Sequence, residues 1–261
     1  QACYPLANGD LPATTEELRA KMGKVIWSYL PCSPWDRAGE EDYWEWLAEA
    51  TKKARASTDR AIMMGFGGNL LEMGQYLYSN EGFLLMLAAE QRKVERLLDM
   101  LVEIYLEDLE KVVRAVGDTA DILQMGDDLG MQSGMQISPQ MYRRIFKPRH
   151  ERIYRHVKDH SNMFVFLHSC GSIRPVIGDL IDIGVDILNP VQTSAAGMDP
   201  KRLKEEFGAH ITFWGGGCDT QALLWGASPQ DVERHVKERM EILAPGGGFG
   251  FNQGHNIMAD V

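Results

Sequence analysis

A histidine and a cysteine close an apolar run near the middle of the chain, in residues 163–171 (MFVFLHSCG). Side chains alternate between the two faces of an extended strand, so His168 and Cys170 point to the same side. An imidazole and a thiolate on one face are two of the ligands that zinc takes in proteins. The alternative is that both are buried side chains with only a structural role.

A second cysteine follows another apolar run, in residues 210–219 (HITFWGGGCD). Two thiolates and an imidazole are the ligand set expected of catalytic zinc, which keeps one coordination position open. The sequence therefore predicts zinc bound by His168, Cys170 and Cys218. The alternative is that Cys218 is a small apolar residue in a glycine turn.

Every predicted strand ends in polar side chains. In a barrel of alternating strands and helices the functional face lies at the carboxyl ends of the strands, so these side chains are expected to converge. Asp127, Asp128 and His255 are expected to exchange protons with substrate or to position it. The alternatives are a turn-forming or capping role for the aspartates and a merely hydrogen-bonded histidine. Substrate binding is expected from Asn69, Asn189, Gln192, Asp219 and Asn252.

The elements that must position these residues alternate in type from residue 59 to the C-terminus. Strands are predicted at 59–65, 121–125, 163–171, 185–190, 210–219 and 248–255. Helices are predicted at 14–29, 40–54, 70–77, 82–116 with a break near Gln91, 138–158 with a break at Pro148, 173–183, 199–207 and 229–243. Strands separated by helices need crossover connections and so form a parallel sheet. A closed eight-stranded barrel needs two further strands, so either N-terminal strands are missing or the sheet is open.

Length and composition limit the class of protein. A chain of 261 residues fits one barrel domain over residues 1–261. The net charge of −10 argues against a nucleic-acid partner, and no apolar run reaches the roughly 20 residues of a membrane span. There is no signal-peptide pattern, and four cysteines do not form a disulfide framework, so a cytoplasmic location is expected. Cys3 and Cys32 are expected to be structural.

Several longer stretches resemble the uroporphyrinogen decarboxylase superfamily, which includes cobalamin-dependent methyltransferases that act with corrinoid proteins. The stretches are DDLGMQ (127–132), ISPQMYRRIFKPRH (137–150), LHSCG (167–171), GGGCDTQ (215–221) and FNQGHNI (251–257). The resemblance implies a distorted eight-stranded α/β barrel of TIM type whose first strands are missing from this chain. Within the first of these stretches, Gln132 is a further expected substrate contact.

The resemblance extends to two branches of the superfamily. The methyltransferase branch binds zinc with a His-x-Cys pair, which His168 and Cys170 match, and with a later cysteine. That cysteine usually lies in the loop of the last strand, where this chain has glycines 246–248, so the ligand role of Cys218 depends on geometry. Residues 252–255 (NQGH) are similar to a substrate-contacting stretch of the decarboxylase branch, but the substrate-binding arginines of that branch have no counterpart here.

We therefore expect a zinc-dependent methyltransferase that moves a methyl group between a corrinoid protein and a small thiol, methoxylated or methylamine-type substrate. The alternatives are a decarboxylase of a tetrapyrrole-type acid and a non-catalytic corrinoid-binding domain. The expected partners are a corrinoid protein and a small molecule, without nucleic acid or membrane, and a homodimer is one assembly open to the chain.

Overall fold

The structure is a computed structural model, and it describes residues 4–7, 9–23 and 42–257. Cys3, Cys32, the end of the first predicted helix and the start of the second lie outside these ranges. Contacts divide the chain into two compact units. The first comprises Gln1–Leu123 and Pro148–Met163, and the second comprises Gln124–Lys147 and Phe164–Val261. The expectation of a single domain stays a prediction.

The elements of the described residues follow the predicted alternation. In chain order they are α1 (Thr15–Met22), α2 (Tyr43–Ser57), β1 (Met63–Gly67), α3 (Leu71–Tyr78), α4 (Asn80–Ala89), α5 (Gln91–Val116), β2 (Ile122–Gly126), α6 (Pro139–Met141), α7 (Lys147–His160), β3 (Phe164–His168), α8 (Arg174–Asp182), β4 (Ile187–Asn189), α9 (Pro200–Phe207), β5 (Thr212–Trp214), α10 (Pro229–Leu243) and β6 (Phe249–Gly250). Thr14 caps the start of α1, since its side chain accepts a hydrogen bond from the Glu17 N–H.

The core of the first unit forms around α5. This helix carries apolar residues three and four positions apart, and Val94, Leu97, Leu98 and Leu101 are all buried. Their stripe faces α1, α2 and α4, which pack against α5. Among the described residues, no helix combines the length and the apolar character needed to cross a membrane.

The helix predicted to break at Pro148 instead continues through it, and a π-helical turn, Tyr142–Phe146, lies between α6 and α7. The Lys147 N–H donates to the carbonyl of Tyr142, five residues earlier, instead of four. Pro148 has no N–H, and its ring crowds the preceding turn, so the helix widens there without ending.

The six strands form one sheet in the order β1-β2-β3-β4-β5-β6. In the second unit the pairs β3–β4, β4–β5 and β5–β6 are all parallel. Leu167, Leu188 and Phe213 from three successive strands are completely buried and form the core there. This α/β arrangement confirms the predicted fold class.

The last strand is shorter than predicted. β6 contains two residues, whereas the sequence predicts a strand over 248–255. Beyond it two backbone hydrogen bonds to the loop after β5 remain, from the Gly217 N–H to the carbonyl of Asn252 at 2.8 Å and from the Gly254 N–H to the carbonyl of Cys218 at 2.7 Å. The glycines and polar residues that follow Phe251 supply few apolar side chains to bury, which explains the early end of the strand.

Candidate functional site

The register between β3 and β4 places His168 directly beside Asn189. The Asn189 side chain donates from Nδ2 to the carbonyl of Trp214 at 2.7 Å, so its oxygen faces the histidine. Nδ1 of His168 lies 2.6 Å from that oxygen. An amide oxygen only accepts hydrogen bonds, so Nδ1 must be the donor. In the neutral ring Nε2 then carries the lone pair, as a metal ligand requires.

Three potential ligand atoms meet at the ends of β2 and β3. Atoms of Asp128, His168 and Cys170 lie within 4.8 Å of one another, the one such group found in the described ranges. Nε2 of His168 is 3.3 Å from the Cys170 sulfur and 3.8 Å from Oδ1 of Asp128. The same Oδ1 accepts the Cys170 N–H at 2.7 Å, which holds the carboxylate next to the thiol. One nitrogen, one sulfur and one oxygen donor are a ligand set that suits zinc.

Two glycines allow the loops after β2 and β3 to approach this closely. Gly171 has a φ of 81°, and a Cβ atom there would lie 2.5 Å from the carbonyl carbon of Gly130. A Cβ atom on Gly130 would in turn lie 2.7 Å from the carbonyl oxygen of Cys170. Any larger residue at either position would therefore push the carboxylate away from the thiol.

The two neighbouring aspartates have different surroundings. The side chain of Asp128 is 31% exposed, and it faces His168 and Cys170. Asp127 is 0% exposed, and its N–H donates to the carbonyl of His168 at 2.9 Å. Burial and then the charge of Asp127 raise the pKa of Tyr142 far above its ordinary value. Asp127 is therefore an interior group, whereas Asp128 lies among the potential ligands.

Gln132 and Gln192 form a chain of hydrogen bonds that joins three loops. The Gly171 N–H donates to Oε1 of Gln192 at 2.9 Å, and Nε2 of Gln192 donates to Oε1 of Gln132 at 2.9 Å. Nε2 of Gln132 then donates to the carbonyl of Ser194 at 2.6 Å. These bonds use one donor and one acceptor of each amide, so both side chains hold the loops in place. Their predicted contact with substrate stays a prediction.

Cys218 is not a member of the group formed by Asp128, His168 and Cys170. It is buried, and burial followed by the charge of Asp219 raises the pKa of its thiol. Asp219 itself caps a turn, because its Oδ1 accepts the N–H groups of Gln221 and Ala222 at 2.9 and 3.0 Å. The predicted zinc-ligand role of Cys218 and the predicted substrate contact of Asp219 stay predictions.

The remaining candidate residues are distributed over both units of the chain. Asn69 lies in the first unit, where its side chain donates to Glu72 and its carbonyl accepts the Tyr105 hydroxyl at 2.8 Å. In the second unit, Oδ1 of Asn252 accepts the N–H of the next residue at 2.9 Å. His255 is partly exposed in the same segment. Their roles in binding or catalysis stay predictions.

Sequence reasoning missed the contact of Asn189 with His168. The structure uses both ends of the Asn189 amide for contacts within the protein, and its predicted contact with substrate stays a prediction. A signal was present, because neighbouring parallel strands end in a histidine and an asparagine. Aligning those two strand ends would have placed the side chains together.

Comparisons with known proteins agree with this fold. The family model for uroporphyrinogen decarboxylase (URO-D) matches residues 33–261. No curated protein matches the chain. Among solved structures, a methyltransferase from Methanosarcina mazei is similar, with a TM-score of 0.61 and 21% sequence identity. The match covers 83% of this chain but only 61% of that methyltransferase, and it shows a shared fold. The family match covers most of the sequence, and the chain therefore belongs to the uroporphyrinogen decarboxylase (URO-D) family.

Proposed function

We propose that this protein is a zinc-dependent methyltransferase that moves a methyl group between a corrinoid protein and a small thiol, methoxylated or methylamine-type substrate. The observation that carries the proposal is the group of Asp128, His168 and Cys170, which brings nitrogen, sulfur and oxygen donors together. The structural likeness to a methyltransferase agrees with this assignment at the level of fold.

The arrangement of the donors fits a bound zinc ion. His168 presents the lone pair of Nε2 toward Cys170, and the Cys170 N–H keeps the carboxylate of Asp128 beside the thiol. His168 and Cys170 are the ligands supported by both sequence and geometry. Asp128 is the third ligand that the geometry offers, and Cys218 is the one that the sequence offers. Zinc in this site would supply a Lewis acid for a leaving oxygen or nitrogen, or would keep an acceptor sulfur as its thiolate.

The residues around this group suit a substrate that is not a polyanion. No lysine or arginine occurs in the segments that contain strands β2 to β6 and the loops that follow them, namely residues 124–142, 161–173, 183–200, 208–233 and 240–261. Carboxylates of a tetrapyrrole-type acid need cationic partners once they leave water. The charge pattern therefore favours methyl transfer over decarboxylation. Asp127, Asp128 and His255 remain the proposed groups for positioning substrate or exchanging protons.

Two other functions remain as alternatives within the family. A decarboxylase is favoured by residues 252–255 (NQGH), which carry His255 in the same kind of segment as that branch. A non-catalytic corrinoid-binding domain would keep the fold without turnover. The proposed corrinoid partner, the cytoplasmic location and a homodimer are likewise proposals.

The decisive experiment combines metal analysis with a transfer assay. The chain is purified without chelators, its zinc is measured, and it is mixed with a methylated corrinoid protein and candidate thiols while the cobalt absorbance is followed. We expect about one zinc per chain and a change of the cobalt spectrum that depends on both protein and acceptor. Cys170→Ser is the control, and it should bind little zinc and leave the spectrum unchanged.

Other results would contradict the proposal. Release of carbon dioxide from a tetrapyrrole polycarboxylate by a zinc-free preparation would favour the decarboxylase. Binding of the corrinoid protein without any transfer, across thiol, methoxylated and methylamine-type substrates, would favour the non-catalytic domain.

A further inference from the structure

We propose that Asn189 is a positioning residue, which holds His168 in the one neutral form whose Nε2 atom can bind a metal ion. The inference rests on the metal site of the proposed function. It gives Asn189 a role different from the substrate contact that the sequence predicts.

The backbone of β5 sets the orientation of the Asn189 amide. The carbonyl of Trp214 can only accept, so the nitrogen of the Asn189 amide must face it, at 2.7 Å. The amide oxygen then faces His168, whose Nδ1 lies 2.6 Å away. A neutral imidazole carries a single N–H, and this contact assigns it to Nδ1. Three successive strands thus determine which ring nitrogen of the neutral His168 carries no proton.

The strands also keep Asn189 from turning away. His168 and Asn189 are paired residues in the parallel register, and the Ser169 N–H donates to the carbonyl of Asn189 at 2.8 Å. Asn189 is only 7% exposed, so water has little access to replace its oxygen. A neutral imidazole without an acceptor on Nδ1 mostly carries its proton on Nε2, where it would block the metal. Partners of this kind orient histidine ligands in metalloproteins.

The test reads the position of the proton directly, in metal-free protein. Nitrogen NMR of histidine-labelled protein resolves the two ring nitrogens, and His168→Gln assigns the signal among the seven histidines of the chain. In the wild type we expect a protonated Nδ1 and a bare Nε2. In Asn189→Leu we expect the proton to move largely to Nε2 and zinc affinity to fall by about 10–100-fold. Asn189→Asp keeps an acceptor, so it should retain the proton on Nδ1 and most of the affinity.

Gln192→Leu is the matched control, because Gln192 is also a buried amide, 5% exposed, that bonds to a backbone N–H and to no histidine. It should disturb the loops and leave the proton of His168 on Nδ1. An unprotonated Nδ1 in the wild type would overturn the inference. So would a transfer of the proton to Nε2 that is as large in Gln192→Leu as in Asn189→Leu. If Asn189→Leu fails to fold, the wild type and Asn189→Asp decide the question. A wild type that binds no zinc would refute the proposed function. The nitrogen NMR spectrum of the metal-free protein would still test whether Asn189 keeps the proton of His168 on Nδ1.

Discussion

The loops after β3 and β5 are similar in sequence, but the surroundings of their cysteines differ. Each follows a short apolar strand and combines glycine with one cysteine. Cys170 lies next to His168 and Asp128, whereas Cys218 is buried, with its pKa raised by burial and by Asp219. A thiol at a strand end is therefore not enough to bring potential metal ligands together. The neighbouring strands must also end in residues that reach it.

The two loops also differ in length. The loop after β3 passes directly into α8, and its backbone bonds to Gln192 and to the carbonyl of Met131. The loop after β5 runs from residue 215 to residue 228 before α10 begins. The donors at the end of β3 are thus held by several strands and loops before any metal binds, which lowers the cost of ordering them.

The largest effect is expected from the cysteine after β3. Cys170→Ser should lose most of the bound zinc, with a fall in affinity greater than the roughly 10–100-fold cost of losing an outer-shell partner, because serine is a poor ligand at neutral pH. Elemental analysis after dialysis against a weak chelator measures this change. Full zinc in this variant would mean that the metal binds elsewhere in the protein.

A smaller effect should separate the two aspartates. Asp128→Asn should weaken zinc binding by about 10–100-fold if Asp128 acts as an outer-shell partner, and by more if it is the third ligand, since a neutral amide replaces a charged carboxylate near the thiol. Asp127→Asn is the matched control, and it should keep most of the affinity because Asp127 is an interior group outside the cluster. Zinc titration against a competing chelator measures both. Equal losses of zinc affinity in the two variants would indicate that both aspartates have a purely structural role.

The ion pairs of Asp179 with Arg143 and Lys147 predict a pH-dependent difference in stability. Burial works to raise the pKa of Asp179 on α8, but hydrogen bonds and charges from Lys147 and Arg143 outweigh it and leave the pKa below its ordinary value of 3.8. The stabilisation is therefore present above about pH 4 and is lost as the pH falls through the lowered pKa. Asp179→Asn should lower the free energy of unfolding by roughly 1 kcal/mol at pH 7, because the two cations remain partly exposed.

Urea unfolding at several pH values measures this difference, which should shrink below about pH 4. Asp182→Asn is the control, because Asp182 is 70% exposed and its contact with Lys147 is longer, at 3.4 Å. It should have a smaller effect. A difference between wild type and Asp179→Asn that stays constant with pH would contradict the assignment to the charged pair.

The smallest effect on metal is expected at the second cysteine. Cys218→Ser should keep about one zinc per chain if Cys218 lies outside the coordination shell, as its absence from the group of Asp128, His168 and Cys170 indicates. Its raised pKa also predicts that alkylation of Cys218 is slower than in unfolded protein and needs a higher pH. Mass spectrometry of the alkylated peptides, with unfolded protein as reference, measures this rate. Loss of zinc in Cys218→Ser would instead make Cys218 the third ligand.

Sequence alone determined the type and order of most elements. Helix α10 has the predicted bounds, Pro229–Leu243, and the helix break predicted near Gln91 occurs between α4 and α5. The reason is that apolar periodicity and capping residues act within a few positions along the chain. The same local rule predicted His168 and Cys170 on one side of the chain, since the two residues are only two positions apart. The strand β3 ends at His168, so Cys170 reaches the histidine from the following loop.

Only the tertiary structure decided which strand ends meet. Asp128 lies about 40 positions from Cys170 in sequence, and it reaches the thiol because two glycines let the loops after β2 and β3 touch. The link between His168 and Asn189 depends on the register of two separate strands, which no local pattern encodes. A one-residue slip would turn Asn189 to the other face of the sheet and leave Nδ1 of His168 without its acceptor.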